Sequence, residues 1–123
     1  MTDTAAPSDL PLVLIVDDDA ELRAYIRDGL AHLPIRTAEA HDGQDALDRL
    51  ATHTGKLALV ITDLVMERMD GRALKAALQR DRRWAHVPVL LITGESTRAR
   101  DGPVLRKPFN AHQLSASVRR LLP

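Results

Sequence analysis

Four groups of side chains suited to phosphoryl transfer each stand directly behind an apolar run. Asp17, Asp18 and Asp19 follow Leu12-Val13-Leu14-Ile15-Val16. Asp63 follows Leu57-Ala58-Leu59-Val60-Ile61-Thr62. Thr93 follows the run through residues 87–92, and Lys107 follows Val104-Leu105-Arg106. Carboxylates brought together repel, and two unit charges about 5 Å apart cost roughly 3 kcal/mol at an effective dielectric of 20. Either a carboxyl keeps its proton or a cation neutralises the cluster. An open site of hard oxygen ligands suits Mg2+ or Mn2+; Mg2+ takes one or two carboxylates, several waters and a phosphate oxygen. Facing such an ion, Asp63 would be an in-line nucleophile forming an acyl phosphate. The Thr93 hydroxyl and the Lys107 ammonium would hold the remaining phosphoryl oxygens.

The elements between these residues must bring them together. Short continuous apolar runs read as strands buried on both faces. They are Leu12–Val16, a weak second strand at residues 35–39, a third at 57–62, a fourth at 87–92 and a short fifth at Val104–Arg106. Pro88 sits near the start of the fourth, where proline is tolerated. Leu22, Tyr25, Ile26, Gly29, Leu30 and Leu33 recur at spacings of three and four, which predicts an amphipathic helix. Asp18 or Asp19 is its N-cap and Pro34 its stop. A second helix over Gly43–Ala51 buries Ala46, Leu47 and Leu50. After a turn at Asp70-Gly71, Ala73, Leu74, Ala77 and Leu78 line a third. The last runs from the N-cap Asn110 to Leu121 with Leu114, Val118 and Leu121 inward.

Strands alternating with helices predict an α/β domain whose parallel sheet is covered on both faces. In doubly wound sheets the chemistry lies beyond the carboxyl ends of the strands. If strands one, three, four and five are neighbours, the four groups converge on one crevice. Residues 93–103 carry no apolar stripe. They have room for about one or two helical turns, short for a right-handed crossover.

A chain of 123 residues and 13.6 kDa is expected to be one domain, here residues 12–122, with residues 1–11 a flexible N-terminal arm. Seventeen basic and 17 acidic residues balance, which gives no electrostatic reason to expect nucleic acid or an anionic membrane as partner. Cysteine is absent, so disulfide and thiolate chemistry are excluded and a cytoplasmic location fits. The first residues lack a basic start and an apolar core, so no signal peptide is expected. The longest apolar run is far short of a membrane span.

Taken in order, Val16-Asp17-Asp18-Asp19, the stretch from Ile61-Thr62-Asp63 to Asp70-Gly71, Leu91-Ile92-Thr93-Gly94 and Arg106-Lys107-Pro108-Phe109 resemble a two-component response regulator receiver domain of the chemotaxis-regulator kind. The resemblance covers about Leu12 to Leu121. It implies a flavodoxin-like, five-stranded doubly wound sheet of order 2-1-3-4-5. It implies Asp63 as phosphoacceptor. The metal, Mg2+ or Mn2+, would be held by Asp17, Asp18, Asp63 and the Val65 backbone carbonyl, with Asp18 direct and Asp17 through water. Thr93 and Lys107 would bind the phosphoryl group, and the Lys107-Pro108 peptide would be cis. The implied phosphoryl source is a histidine kinase, a hybrid kinase among the candidates, or a histidine phosphotransfer protein. The downstream protein is left unspecified.

Four departures stand out. Receivers usually carry an aromatic switch residue three positions before the lysine; here Val104 stands there, and a valine cannot swing as a ring does. The interval from Thr93 to Lys107 is shorter by roughly two helical turns, so the fourth crossover helix is expected to be truncated or replaced by a loop. Glu67 stands where proline is common, and Glu95 stands two residues after Thr93.

Plainer roles apply elsewhere. Asp19 serves better as an N-cap than as a ligand. Arg98, Arg100 and Arg106 read as solvated loop cations rather than a docking patch. The five histidines show no metal-ligand spacing, and Trp84 is expected to pack under the loop before strand four. Two other functions compete. A haloacid-dehalogenase-like phosphohydrolase would use the Asp-x-Asp spacing of residues 17–19, with Asp17 as nucleophile, but leaves Asp63 unexplained. A degenerate receiver would serve only as a binding module.

Overall fold

The computed structural model describes residues 9–123. The strands are β1 (Leu12–Val16), β2 (Arg36–Ala40), β3 (Leu57–Asp63), β4 (Val89–Thr93) and β5 (Val104–Arg106). The helices are α1 (Ala20–Gly29), α2 (Gly43–Ala51), α3 (Gly71–Gln79) and α4 (Ala111–Leu121). All strands pair in parallel in the order β2-β1-β3-β4-β5, the doubly wound order that the resemblance implies.

β1 and β4 are buried along their whole length, as their unbroken apolar runs require. Alternate residues feed two cores. Leu14, Val16, Val60 and Leu91 face α2 and α3, meeting Ala46, Leu50, Leu74 and Leu78. Val13, Ile15, Leu59, Ile61, Leu90 and Ile92 face α1 and α4, meeting Ile26, Leu30, Leu114 and Val118. Trp84 is buried against the first core in the turn before β4, as expected.

Several boundaries differ from the sequence reading. β2 starts one residue later than residue 35, because Arg36 is the first residue that β1 can pair, opposite Leu12. β4 starts at Val89, two residues later than expected. Pro88 stays outside it and contributes only its carbonyl, which accepts from Val60 N at 3.1 Å. α1 ends at Gly29, well before Pro34; Leu30 N bonds back to Ile26 and Arg27, and the chain then turns. Asp70 is not a turn residue but the N-cap of α3, accepting from Ala73 N at 2.8 Å. Asp19 rather than Asp18 caps α1, through Glu21 N and Leu22 N.

Residues 1–8 of the expected arm lie outside the described residues. Its last two residues are fastened: Arg36 Nε donates to Leu10 O at 3.0 Å, and Arg36 N to Pro11 O at 2.9 Å.

Between β4 and β5 the only helical element is one 3-10 turn, Ala99–Asp101. The crossover is thus a loop, as its missing apolar stripe predicts. It is nonetheless anchored. Arg72 of α3 grips Asp101 with Nε and an Nη at 2.8 and 2.9 Å, Arg98 N donates to Asp101 at 2.7 Å, and Lys75 Nζ donates to Asp101 O at 2.6 Å. Among the described residues, no helix is long and apolar enough to cross a membrane.

Candidate functional site

β1, β3, β4 and β5 are consecutive neighbours, so their carboxyl ends deliver Asp17, Asp63, Thr93 and Lys107 to one edge of the sheet. Asp17, Asp18 and Asp63 each offer a carboxylate oxygen within 4.8 Å of the other two. Lys107 Nζ lies 3.6 Å from Asp63 Oδ1. The predicted cluster therefore exists, and its members differ in setting. Asp17 is 2% exposed, Asp63 is half-buried and Asp18 is open to solvent.

Burial governs the electrostatics. It pushes the Asp17 carboxyl up to about 6, against a backbone hydrogen bond from Asp19 N (2.8 Å) that pulls the other way. Asp63 also sits above the ordinary carboxylate range. Desolvation is the main cause, opposed by the Lys107 ammonium and by the backbone N–H groups of Val65 and Leu64. The remaining Asp17 oxygen, Oδ2, is buried with no hydrogen-bond partner among the described residues. A buried carboxylate oxygen without a donor is costly. A divalent cation shared with Asp18 and Asp63 would satisfy it, and an all-oxygen donor set fits Mg2+. The residues present thus fit the implied ion.

Other predicted residues are placed less directly. Val65 is 56% exposed and sits two residues past Asp63, with its N–H turned to the Asp63 carboxylate. Thr93 is buried at the end of β4, one residue beyond Ile92, the β-sheet partner of Asp63. Its hydroxyl oxygen accepts from Glu95 N at 2.9 Å, which leaves its own proton to donate. Its carbonyl accepts from Lys107 N at 3.0 Å, tying these two residues together. The Lys107-Pro108 peptide is cis. Val104 is half-buried at the start of β5, against the core beside α3.

Residues that the sequence reading passed over hold this edge in shape. Arg23 Nη1 donates to Asp17 O at 2.5 Å, while its Nε meets Glu39 Oε1 at 3.0 Å. Arg68 binds Asp42 with two bonds of 2.6 and 3.1 Å, fastening the loop after Asp63 to the N-terminus of α2. In that loop Met66 is buried. Gly43 lies so close to Met69 that a Cβ there would come within 2.7 Å of its side chain. Asp42 is the N-cap of α2, a role the sequence reading did not assign, and the long-range partners of Arg23 and Arg68 had no local signature.

The competing hydrolase reading needs Asp17 as nucleophile. Asp17 is the most enclosed of the three carboxylates, and one of its oxygens is occupied by Asp19 N. Asp63 is the more accessible and has the ammonium beside it.

Comparison with known proteins agrees with the geometry. The family described as "Response regulator receiver domain" matches residues 13–119. The chain is 36% identical over 119 residues to chemotaxis protein CheY of Pseudomonas aeruginosa, covering 89% of this chain and 94% of that one. It is 34% identical over 125 residues to the sensor histidine kinase TmoS of Ectopseudomonas mendocina, covering 94% of this chain but 12% of the kinase. Its fold resembles the chemotaxis response regulator CheY4 of Vibrio cholerae with a TM-score of 0.82 at 26% identity, over 92% of this chain and 99% of that one. Sheet order, the clustered carboxylates with their lysine, and these likenesses lead to one conclusion: the chain belongs to the response regulator receiver domain family.

Proposed function

We propose that this protein is a phosphoacceptor of a two-component or phosphorelay system. Asp63 takes a phosphoryl group from a histidine kinase, hybrid kinases included, or from a histidine phosphotransfer protein. The state is then read by protein docking. The supporting observation is the convergence of Asp17, Asp18 and Asp63 oxygens within 4.8 Å, with Lys107 Nζ 3.6 Å from Asp63 Oδ1.

An Asp63 carboxylate oxygen attacks phosphorus, the phosphorus–nitrogen bond to the donor imidazole breaks, and an acyl phosphate forms on Asp63. Partial desolvation of Asp63 strips water from the attacking oxygen. The Lys107 ammonium is placed to hold a phosphoryl oxygen, and the Thr93 hydroxyl, oriented by Glu95 N, to donate to another. Asp17, Asp18, Asp63 and the Val65 carbonyl are the groups that would hold Mg2+, which when bound offsets the negative charge on the transferring phosphoryl group. Attack of water on the acyl phosphate ends the cycle. The chain labels itself and slowly loses the label, without turning over a small-molecule substrate. A cytoplasmic setting fits such chemistry, since its phosphodonors derive from ATP.

The test is Mg2+ with beryllofluoride or a small phosphodonor, applied to wild type and Asp63→Ala and followed by backbone NMR and phosphate incorporation. Wild type should take up about one phosphoryl group per chain and shift the site resonances; Asp63→Ala should do neither. Shifts should spread only weakly through residues 95–106, because no aromatic ring stands at Val104. Undiminished labelling of Asp63→Ala, or multiple turnover of a phosphate ester, would overturn the reading.

A further inference from the structure

The edge of the sheet opposite the carboxylate cluster carries a hollow of about 380 Å³, at the start of β3 and the turn before β4. Leu57 begins β3 and Asp63 ends it, so roughly 20 Å of strand separates the hollow from Asp63, at about 3.3 Å per residue. Its volume falls at the small end of the range for ligand pockets, roughly 300–1,000 Å³.

The lining is apolar below and cationic above. Leu57, Ala58, Trp84 and Val87, all buried, and the half-buried Leu121 form the floor. Lys56, Arg83 and His86 stand exposed around it, and no acidic side chain lines it. Arg83 is already engaged: its Nε and Nη2 meet the Asp81 carboxylate at 3.3 and 3.0 Å, and its guanidinium lies 5.2 Å from the centroid of the Trp84 ring. Among the described residues, the side chains of Lys56 and His86 form no ion pair or hydrogen bond.

At the mouth Gly55 has a φ of 106°, a conformation that favours glycine. The space that a Gly55 Cβ would fill is bordered only by His53 Nε2, at 4.0 Å. That nitrogen is buried without a hydrogen-bond partner among the described residues. A buried polar atom left unpaired is costly, and it faces the one place where an acceptor could enter.

These features narrow the ligand. The Trp84 ring is already flanked by Arg83 and by the His53 ring, 6.2 Å away between centroids, so it offers no free platform to a flat aromatic molecule. The aliphatic floor suits a hydrocarbon chain instead. One unmatched ammonium, at Lys56, matches a single negative charge better than a phosphate dianion, and a carboxylate supplies acceptors for both imidazoles. We propose that this hollow binds a short aliphatic monocarboxylate. Lys56 and His86 hold the carboxylate at the Gly55 mouth, and the chain lies against Leu57, Val87 and Leu121. The proposal goes beyond the phosphoacceptor reading and does not use Asp63.

The experiment titrates the full chain with sodium octanoate below its micellar range. Neither Mg2+ nor a phosphodonor is present, so the outcome is independent of the Asp63 chemistry. Trp84, the sole tryptophan, reports by its emission, and backbone NMR maps the site. Controls are octanamide, acetate and octyl phosphate. Octanoate should change the emission saturably and shift residues 55–58, 84–88 and 121. It should bind about tenfold or more tightly than octanamide, which lacks the charge, or acetate, which lacks the chain. Lys56→Gln, at an exposed position, should weaken octanoate about tenfold and leave octanamide unchanged. Absence of saturable binding, shifts mapping elsewhere, equal binding of octanamide or acetate, tighter binding of octyl phosphate, or wild-type affinity in Lys56→Gln would each overturn the proposal.

Discussion

Arg23 on α1 donates from Nη1 to the main-chain carbonyl of Asp17 at 2.5 Å, and the same guanidinium is held by Glu39 of β2 at 3.0 Å. The loop that presents Asp17 and Asp18 is therefore braced from the neighbouring strand. Removing a group that orients metal ligands costs roughly 10–100-fold in metal affinity. Arg23→Gln should weaken Mg2+ binding about tenfold, with a smaller loss from Glu39→Gln, which spares the bond to Asp17. Titration of Mg2+ by NMR or calorimetry checks this; unchanged affinity in Arg23→Gln would mean the brace is idle.

Acidification should stabilise the metal-free protein. Burial raises Asp17 to about 6 and raises Asp63 as well, above the ordinary 3.8 of an unfolded chain. Between those values the folded state binds more protons than the unfolded one, so unfolding free energy falls as pH rises. Asp42 and Asp101, held low by Arg68 and Arg72, change their contributions only below the ordinary carboxylate range, outside this window. Denaturant melts in EDTA should show a gain on the order of 1–3 kcal/mol between pH 7 and 4.5. Excess Mg2+ should flatten the profile by competing with protons for the same oxygens. Stability that rises with pH in EDTA over this window would contradict the assignment.

Gly71 carries a steric constraint on β3, the strand that ends at Asp63. A Cβ there would lie 2.5 Å from Asp63 O and 3.0 Å from Leu64 Cα and Leu91 Cδ2. Two of these are backbone atoms at the end of β3 and cannot step aside cheaply. Gly71→Ala should destabilise by about 1–3 kcal/mol, read as a lower urea midpoint, and should slow Asp63 labelling by displacing its backbone. Wild-type stability in this variant would show that the loop yields more readily than its contacts imply.

The Arg72–Asp101 clamp should control the order of the β4–β5 loop without touching the Asp17–Asp18–Asp63 cluster. In Asp101→Asn the guanidinium loses its paired carboxylate. Amide exchange over residues 94–103 should accelerate, and trypsin should cut faster after Arg98 and Arg100. Mg2+ affinity should stay near wild type, because Asp17, Asp18 and Asp63 are untouched. Unchanged exchange and cleavage would show that Lys75 and the 3-10 turn suffice to hold the loop.

Much of the fold was written locally. The apolar runs at Leu12–Val16 and Leu57–Thr62 have only one comfortable place, a strand covered on both faces, and the helices between them follow from spacings of three and four. Asn110 and Asp19 announced their caps because a side-chain oxygen before an amphipathic run has an obvious donor to meet. That Asp63, Asp18 and Lys107 would come together was legible because each ends or closely follows a strand, and parallel sheets of this kind gather strand ends at one edge. The absence of an apolar stripe likewise foretold a loop between β4 and β5.

What the chain order alone left open is whatever depends on distance between separated segments. The pairing of Arg23 with Asp17 O, of Arg68 with Asp42 and of Arg72 with Asp101 follows from long polar side chains reaching across elements, and a charged residue in sequence carries no record of its partner. The rise of Asp17 to about 6 is likewise a tertiary result, since desolvation exists only once β1 is enclosed.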